Sequence, residues 1–167
     1  IKGHKIITGL AVAVVSIGIL MLALVGLNKN YIEFSVEDQK VVEIAYGSGE
    51  EMEAVTALYK GTIFHQQGTP VEVSVEGQVE YDKIGSYELS YFAKHEDVTN
   101  VVTVTVEIKD KQAPVITLVS NPEHYTSPVG TYQEEGFTAV DNYDGDITAN
   151  VVSEEKDGKV TYKVSDS

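Results

Sequence analysis

An uncharged apolar run near the start of the chain is the feature that most constrains its fold. Residues 6–27 read IITGLAVAVVSIGILMLALVGL and contain no Asp, Glu, Lys or Arg. As a helix rising about 1.5 Å per residue, this run would be roughly 33 Å long, which matches the apolar thickness of a bilayer. The run therefore predicts a transmembrane anchor over residues 6–27, with the lipid bilayer as its partner.

The charges on either side of the run predict its orientation. Lys2, His4 and Lys5 precede it, whereas all 26 acidic residues of the chain follow it. The positive-inside rule then makes residues 1–5 a short cytoplasmic tail and places the remainder outside. A cleavable signal peptide is the alternative, but its apolar core is shorter and ends in a small-residue cleavage site, for which residues 23–26 are a poor candidate. The predicted localisation is the cell membrane, single-pass, with an extracellular C-terminal part.

Beyond residue 28 the helical pattern ends and short alternating runs begin. Residues 101–108 read VVTVTVEI, a period-two run rich in β-branched residues that is typical of a half-buried strand. Residues 50–60 are interrupted by β-formers, and we interpret them as loop and strand. The predicted strands lie at residues 31–34, 41–46, 71–75, 87–93, 101–108 and 115–119. The fold class is therefore all-β, with immunoglobulin-like β-sandwich modules after a single N-terminal transmembrane helix.

A charged, proline-containing stretch divides this β-rich part into two tandem modules. The sequence KDKQAP at 109–114 stands between two strand patterns, and the motif VTA at 55–57 is echoed by FTA at 137–139. Residues 28–110 are predicted as module 1 and residues 111–167 as module 2. Module 2 has no counterpart of the closing strand of module 1, so we expect it to be incomplete and the chain to be a piece of a longer protein.

Composition and motif searches exclude several function classes. The formal net charge of −14 repels phosphate backbones, so no nucleic-acid partner is expected. Without any cysteine the modules are held by packing alone, and thiol chemistry and cysteine-ligated zinc are absent. His65, His95 and His124 are assigned to three separate loops without metal-binding spacing, and there is no nucleophile elbow or phosphate loop. No catalytic or cofactor-binding residue is predicted, and these residues are not expected to form an enzyme.

An aspartate-rich segment is the one candidate metal site in the sequence. Asp141, Asp144 and Asp146 lie close together with Asn142, and hard cations such as calcium take carboxylate oxygens. Their spacing differs from an EF-hand loop, however. We favour an Asx-rich turn in which Gly145 adopts a positive φ, and we retain calcium at the three aspartates as the alternative.

A second motif predicts a structural role. Residues 82–89 read DKIGSYEL, which is similar to the D-x-G-x-Y-x-C strand of immunoglobulin folds with one residue inserted. Gly85 would then open the strand, and Leu89 would take the place of the cysteine. Tyr87 is predicted to form a tyrosine corner, with its hydroxyl bonded to backbone and its ring in the core.

Three segments together resemble a known family. The runs GFTAVDNYDGDIT at 136–148, APVITL at 113–118 and GSYELSY at 85–91 are similar to bacterial immunoglobulin-like surface repeats, a domain family of unknown function. The resemblance covers most of residues 113–167 and, more loosely, 31–110. It implies a stalk or display module on Gram-positive-type bacteria, a type of repeat often found alongside polysaccharide deacetylase or peptidase domains.

These observations lead to three hypotheses about function. The first is a non-catalytic cell-surface stalk, spacer or adhesion module anchored in the cytoplasmic membrane. The second is the N-terminal anchoring region of a longer cell-wall-modifying enzyme, of the deacetylase or peptidase type, whose catalytic domain lies outside this chain. The third is a module that binds cell-wall glycan or a surface protein through the exposed rings of Tyr125, Tyr132 and Tyr143.

Overall fold

The computed structural model describes residues 17–119 and 135–167, and this part of the chain is mostly β-strand. Residues 17–27 form a helix, α1, and Thr148–Asn150 form a short 3-10 helix. The strands are β1 Asn30–Phe34, β2 Lys40–Ala45, β3 Ala57–Gly61, β4 Thr69–Val71, β5 Val73–Glu76, β6 Gly85–His95, β7 Val98–Lys109, β8 Val115–Leu118, β9 Phe137–Asp141, β10 Gly145–Asp146, β11 Val152–Lys156 and β12 Lys159–Lys163. The predicted all-β fold is confirmed.

Only part of the predicted membrane anchor falls within the described residues. Residues 1–5 and 6–16 lie outside them, and α1 covers residues 17–27. Within the described ranges, no helix has both the length and the apolar character that crossing a membrane requires. Most of the apolar residues of α1 are nonetheless exposed, Leu22 for 73% of its surface.

The described residues divide into two compact units. The first consists of residues 17–42, 52–79 and 86–107, and the second of residues 43–51, 80–85, 108–119 and 135–167. The boundary predicted between residues 110 and 111 remains a prediction.

Two sheets form most of the first unit, although residues 43–45 of β2, residue 85 of β6 and residues 108–109 of β7 belong to the second unit. One has the order β1-β3-β4 with antiparallel pairs, and the other has the order β2-β7-β6-β5. Ile32, Ala57 and Tyr59 of the first sheet pack with Ala93 of the second in one buried cluster. The single strand predicted over residues 71–75 is wrong, because Glu72 interrupts it and the chain passes there from one sheet to the other.

Strand β7 shows why the alternating sequence folds as it does. Val102, Val104, Val106 and Ile108 are buried, and the residues between them are half-exposed. Because successive side chains of a strand point to opposite faces, the period-two sequence places one complete apolar row in the core. The same alternation buries every second residue of β6 from Leu89 to Ala93.

The end of α1 is attached to the first unit through Asn28. The Asn28 N–H donates to Leu24 O at 3.1 Å, which closes the helix, and Asn28 Oδ1 accepts from Ile63 N at 2.8 Å and Phe64 N at 3.0 Å. A Cβ at Gly61 would lie 2.8 Å from the Asn28 side-chain atoms and 2.2 Å from Phe64 O. Glycine is therefore required beside the asparagine, and the junction leaves no free linker between helix and strand.

The second unit is built from smaller sheets. Strands β8, β9 and β10 form an antiparallel sheet, and β11 pairs with β12 as a hairpin. The hairpin turn has Asp157 at φ 54° and Gly158 at φ 73°, which is the backbone of a two-residue type I′ turn. Ala139 and Ile147 are buried in this unit.

Candidate functional site

The turn between β9 and β10 carries the acidic residues that the sequence singled out. Asp141 is only 4% exposed, and its Oδ1 accepts from Tyr143 N at 2.7 Å and Asp144 N at 2.9 Å. This is an Asx turn, and Gly145 has the expected positive φ of 72°. The N–H of Asp144, followed by that of Tyr143, lowers the pKa of the Asp141 carboxyl because both donors favour its ionised form.

Asp146 binds the start of the 3-10 helix that follows it. Its Oδ1 accepts from Thr148 N at 3.0 Å, while the Thr148 hydroxyl accepts from Ala139 N at 2.9 Å. A hydrogen bond from the Thr148 side chain, followed by that from its N–H, lowers the pKa of the Asp146 carboxyl. Asp146 and Thr148 thus link the turn to the buried strand β9.

The third aspartate of the calcium alternative, Asp144, binds the C-terminal segment. Its Oδ2 accepts from Ser167 N at 2.8 Å and its Oδ1 accepts from Ser167 Oγ at 2.9 Å. Among the described residues, the acidic group whose oxygens converge is a different one: Asp110, Asp141 and Asp166 place carboxylate oxygens within 4.8 Å of one another. Sequence reasoning missed Asp110 and Asp166, because no local spacing connects them with residue 141.

A groove of about 500 Å³ lies beside this turn within the second unit. Its lining residues are Ala45, Tyr46, Gly47, Gly49, Glu50, Glu51, Tyr81, Asp82, Gln112 and Asn142. The Tyr46 ring meets the Tyr143 ring edge-on, with centroids 5.1 Å apart and planes at 81°. The groove therefore combines aromatic rings with carboxylate and amide groups, which is suited to a polyhydroxylated or peptide ligand.

The predicted aromatic contacts are only partly described. Tyr143 is 44% exposed. Tyr125 and Tyr132, like His124, lie outside the described residues.

The first unit has a hollow of its own, about 400 Å³ in volume, lined in part by His65 and His95. The assignment of His95 to a loop is wrong, because it is the last residue of β6. Its ring lies 4.4 Å from that of Tyr59, whose hydroxyl donates to Glu96 Oε2 at 3.2 Å. Burial and the Glu96 carboxylate raise the pKa of Tyr59.

The residues given a structural role are all on β6. Gly85 opens the strand, Tyr87 is half-buried and Leu89 is 6% exposed. Leu89 thus occupies a core position, and its equivalence to the immunoglobulin cysteine remains a prediction. The tyrosine corner at Tyr87 remains a prediction.

Comparison with known proteins identifies no family. No family model matches the chain, and no curated protein matches it. Among solved structures, a lipoprotein from Bacteroides thetaiotaomicron is similar with a TM-score of 0.36 and 20% sequence identity. That alignment covers 53% of this chain and 45% of the lipoprotein, so this chain matches less than half of that structure. The resemblance of residues 136–148 to bacterial surface repeats remains a prediction.

Proposed function

We propose that this chain is a non-catalytic surface stalk, in which a transmembrane helix over residues 6–27 carries immunoglobulin-like sandwich modules outside the cytoplasmic membrane. The observation that carries the proposal is the junction at Asn28. A stalk holds its modules at a fixed distance from the membrane only if no flexible segment separates the anchor from the first module. Asn28 meets this requirement, because it closes α1 and also binds two backbone N–H groups of the first unit.

The surface of α1 supports the anchoring part of the proposal. Ile17, Leu20, Leu22, Val25 and Leu27 all expose more than half of their side-chain surface. Exposed leucine and isoleucine around a helix are unfavourable in water but ordinary in lipid. Residues 6–16 continue the same uncharged composition, which extends the apolar run to bilayer length.

The strand count of the first unit supports the sandwich part of the proposal. A three-stranded and a four-stranded sheet share one core there. Seven strands divided between a three-stranded and a four-stranded sheet are also the number found in constant-type immunoglobulin domains. A sandwich of this kind is rigid because its interior is close-packed, and rigidity is the property that a spacer needs.

Topology can be tested by cysteine labelling, since the chain has no cysteine of its own. Lys2→Cys and the exposed Glu37→Cys would be expressed separately in a bacterium without an outer membrane. A membrane-impermeant maleimide should label Glu37→Cys on intact cells and Lys2→Cys only after lysis. Equal labelling of both variants on intact cells, or release of the protein by a carbonate wash, would contradict the anchored topology.

The junction needs a separate test. Asn28→Ala should leave membrane association unchanged but loosen the first unit, because two backbone N–H groups lose their acceptor. Limited proteolysis in nanodiscs should then cut the variant near residue 28 several times faster than the native chain. Thr69→Ala, at an exposed site in the same unit, is the matched control. Unchanged cleavage of Asn28→Ala would mean that the asparagine does not secure the helix.

The groove of the second unit favours a second candidate function, binding of cell-wall glycan. Aromatic rings that stack on sugar C–H groups, beside carboxylates and amides that bind hydroxyls, are the groups that such a ligand requires. Tyr143→Ala removes the exposed ring that packs edge-on against Tyr46 of the groove lining, and it should reduce retention of the chain on purified cell wall. Tyr31→Ala, whose ring is equally exposed on the first unit, should not. If neither change alters retention, or the native chain is not retained, the groove is not a glycan site.

A further inference from the structure

Three aspartates that are far apart in sequence converge in the second unit. Asp110 follows β7, Asp141 ends β9 and Asp166 lies next to the last residue. Each contributes a carboxylate oxygen, and the three oxygens lie within 4.8 Å of one another. Ionised carboxylates repel one another at such distances, and a cation bound between them would relieve that repulsion.

Asp141 provides an independent sign that a ligand belongs here. The residue is 4% exposed, and its Oδ1 is used by the N–H groups of Tyr143 and Asp144. Its Oδ2 is buried and has no hydrogen-bond partner among the described residues. A buried carboxylate oxygen without a donor is costly, and natural proteins leave few such atoms unless an ion or water occupies the site.

The surrounding hydrogen bonds hold the other two aspartates in place. Asp110 Oδ1 accepts from Gln112 N at 3.0 Å. This hydrogen bond orients the Asp110 carboxyl within the segment that follows β7. Asp166 is exposed, but its neighbour Ser167 donates two hydrogen bonds to Asp144. Asp144, one of the three aspartates in the calcium alternative drawn from the sequence, here positions the segment that carries Asp166.

We propose that Asp110, Asp141 and Asp166 bind one calcium ion that ties the β9–β10 turn to both segments. Three carboxylates without histidine or cysteine form a hard, all-oxygen donor set, which suits calcium or magnesium and disfavours zinc or copper. Calcium is favoured over magnesium because it accepts six to eight ligands in irregular geometry. Waters complete its coordination. This site is independent of the stalk function proposed above.

Isothermal titration of the full chain in nanodiscs with calcium chloride tests the site. One calcium should bind with a Kd of roughly 10⁻⁴–10⁻³ M, as in extracellular modules. Magnesium chloride should bind more weakly. Asp166→Asn, an exposed change that leaves the core intact, should weaken calcium binding by about tenfold or more, equivalent to about 1.4 kcal/mol or more. Asp157→Asn removes the same charge from the β11–β12 turn and should leave the Kd unchanged.

Two further measurements distinguish a site at Asp110, Asp141 and Asp166 from one that includes Asp146. Terbium bound at this site should emit on tyrosine excitation, because Tyr143 is two residues from Asp141, and calcium should displace it. Asp146→Asn should leave calcium binding unchanged, because Asp146 is not in the converging group. The proposal is overturned if the native chain binds no calcium, if Asp166→Asn binds as tightly as the native chain, or if Asp146→Asn weakens binding as much as Asp166→Asn does.

Discussion

The two units differ in what their interiors contain. In the first unit, the β7 residues Val104 and Val106 are fully buried, and Ile32 and Tyr59 belong to a cluster that joins two sheets. In the second unit, the described interior includes a buried carboxylate, Asp141, and the strands of the β11–β12 hairpin are largely exposed. The first unit is therefore held mainly by apolar burial, whereas the second combines apolar burial, at Ile108, Ala139 and Ile147, with directed hydrogen bonds to carboxylates.

Because the interiors differ, different changes should destabilise the two units. Apolar burial is non-directional and nearly independent of pH, so the first unit should be sensitive to cavities and clashes. Hydrogen bonds to carboxylates depend on ionisation and on single donors, so the second unit should be sensitive to pH and to the loss of one hydroxyl.

The largest effect is expected from a cavity in the first unit. Ile32→Ala removes a side chain that is 3% exposed and packs with Ala57, Tyr59 and Ala93. It should lower the free energy of unfolding by about 4 kcal/mol. Val41→Ala, at a position that is 54% exposed, should change it by less than about 0.5 kcal/mol. Urea unfolding followed by circular dichroism measures both, and a similar small loss in both variants would deny that this cluster is the core.

Glycine substitutions compare steric tolerance in the two units. Gly77 has φ 102°, and a Cβ there would lie 2.2 Å from Glu88 O, whereas Gly145 has φ 72° with nothing within 4 Å of its Cβ. Gly77→Ala should therefore cost about 3 kcal/mol, from backbone strain and a clash together. Gly145→Ala should cost only about 1 kcal/mol, from strain alone. Equal losses in the two variants would mean that the close backbone approach at Gly77 contributes nothing.

A single hydroxyl should matter in the second unit. Thr148→Val keeps the shape of the side chain but removes the acceptor of Ala139 N, which is fully buried, and should cost about 1–2 kcal/mol. Thr148→Ser retains the hydroxyl and should recover most of that loss. Thermal unfolding of the native chain and both variants provides the test. If serine is no better than valine, packing of the methyl group rather than hydrogen bonding explains the loss.

The same variant should change the response to acid. The folded-state pKa of Asp146 is lowered, first by the Thr148 side chain, so its stabilisation is present above the unfolded-state pKa and is lost as pH falls through the folded-state pKa. Thr148→Val should raise the pKa of Asp146 toward its ordinary value. The variant should therefore lose less stability than the native chain between about pH 5 and about pH 2. If the native chain and Thr148→Val lose the same stability over this pH range, the Thr148 side chain does not control the pKa of Asp146.

Local patterns in the sequence predicted much of the fold. The alternation over 101–108 gave the buried row of β7, and the interrupted run over 50–60 was correctly interpreted as loop followed by β3. Sequence analysis did not predict the β11–β12 hairpin, although Asp157-Gly158 is a strong two-residue turn signal. The passage from one sheet to the other at Glu72 has no local signal, because it depends on which strands pair.

The candidate site was predictable only in part, for a related reason. Asp141 and its turn follow from residues within a few positions of one another, so the sequence indicates them. The convergence of Asp110 and Asp166 on Asp141 depends on tertiary structure and is invisible to spacing. The contact of Asp144 with Ser167 could not be anticipated either, because the two residues lie 23 positions apart.

The smallest effect is expected from the exposed ion pairs of Glu43 in the second unit. Lys109 Nζ lies 2.6 Å from Glu43 Oε1 and Lys111 Nζ lies 3.1 Å from Oε2. The hydrogen bond from Lys109, followed by that from Lys111, lowers the pKa of Glu43, so its contribution is present at neutral pH and is lost as pH falls through the folded-state pKa. Glu43→Gln should therefore lower Tm slightly at pH 7 in low salt, and the difference should vanish in acid and in about 1 M sodium chloride. Glu154→Gln on the exposed strand β11 is the control, and a Tm difference for Glu43→Gln that persists in acid and high salt would show that the pairing is not electrostatic.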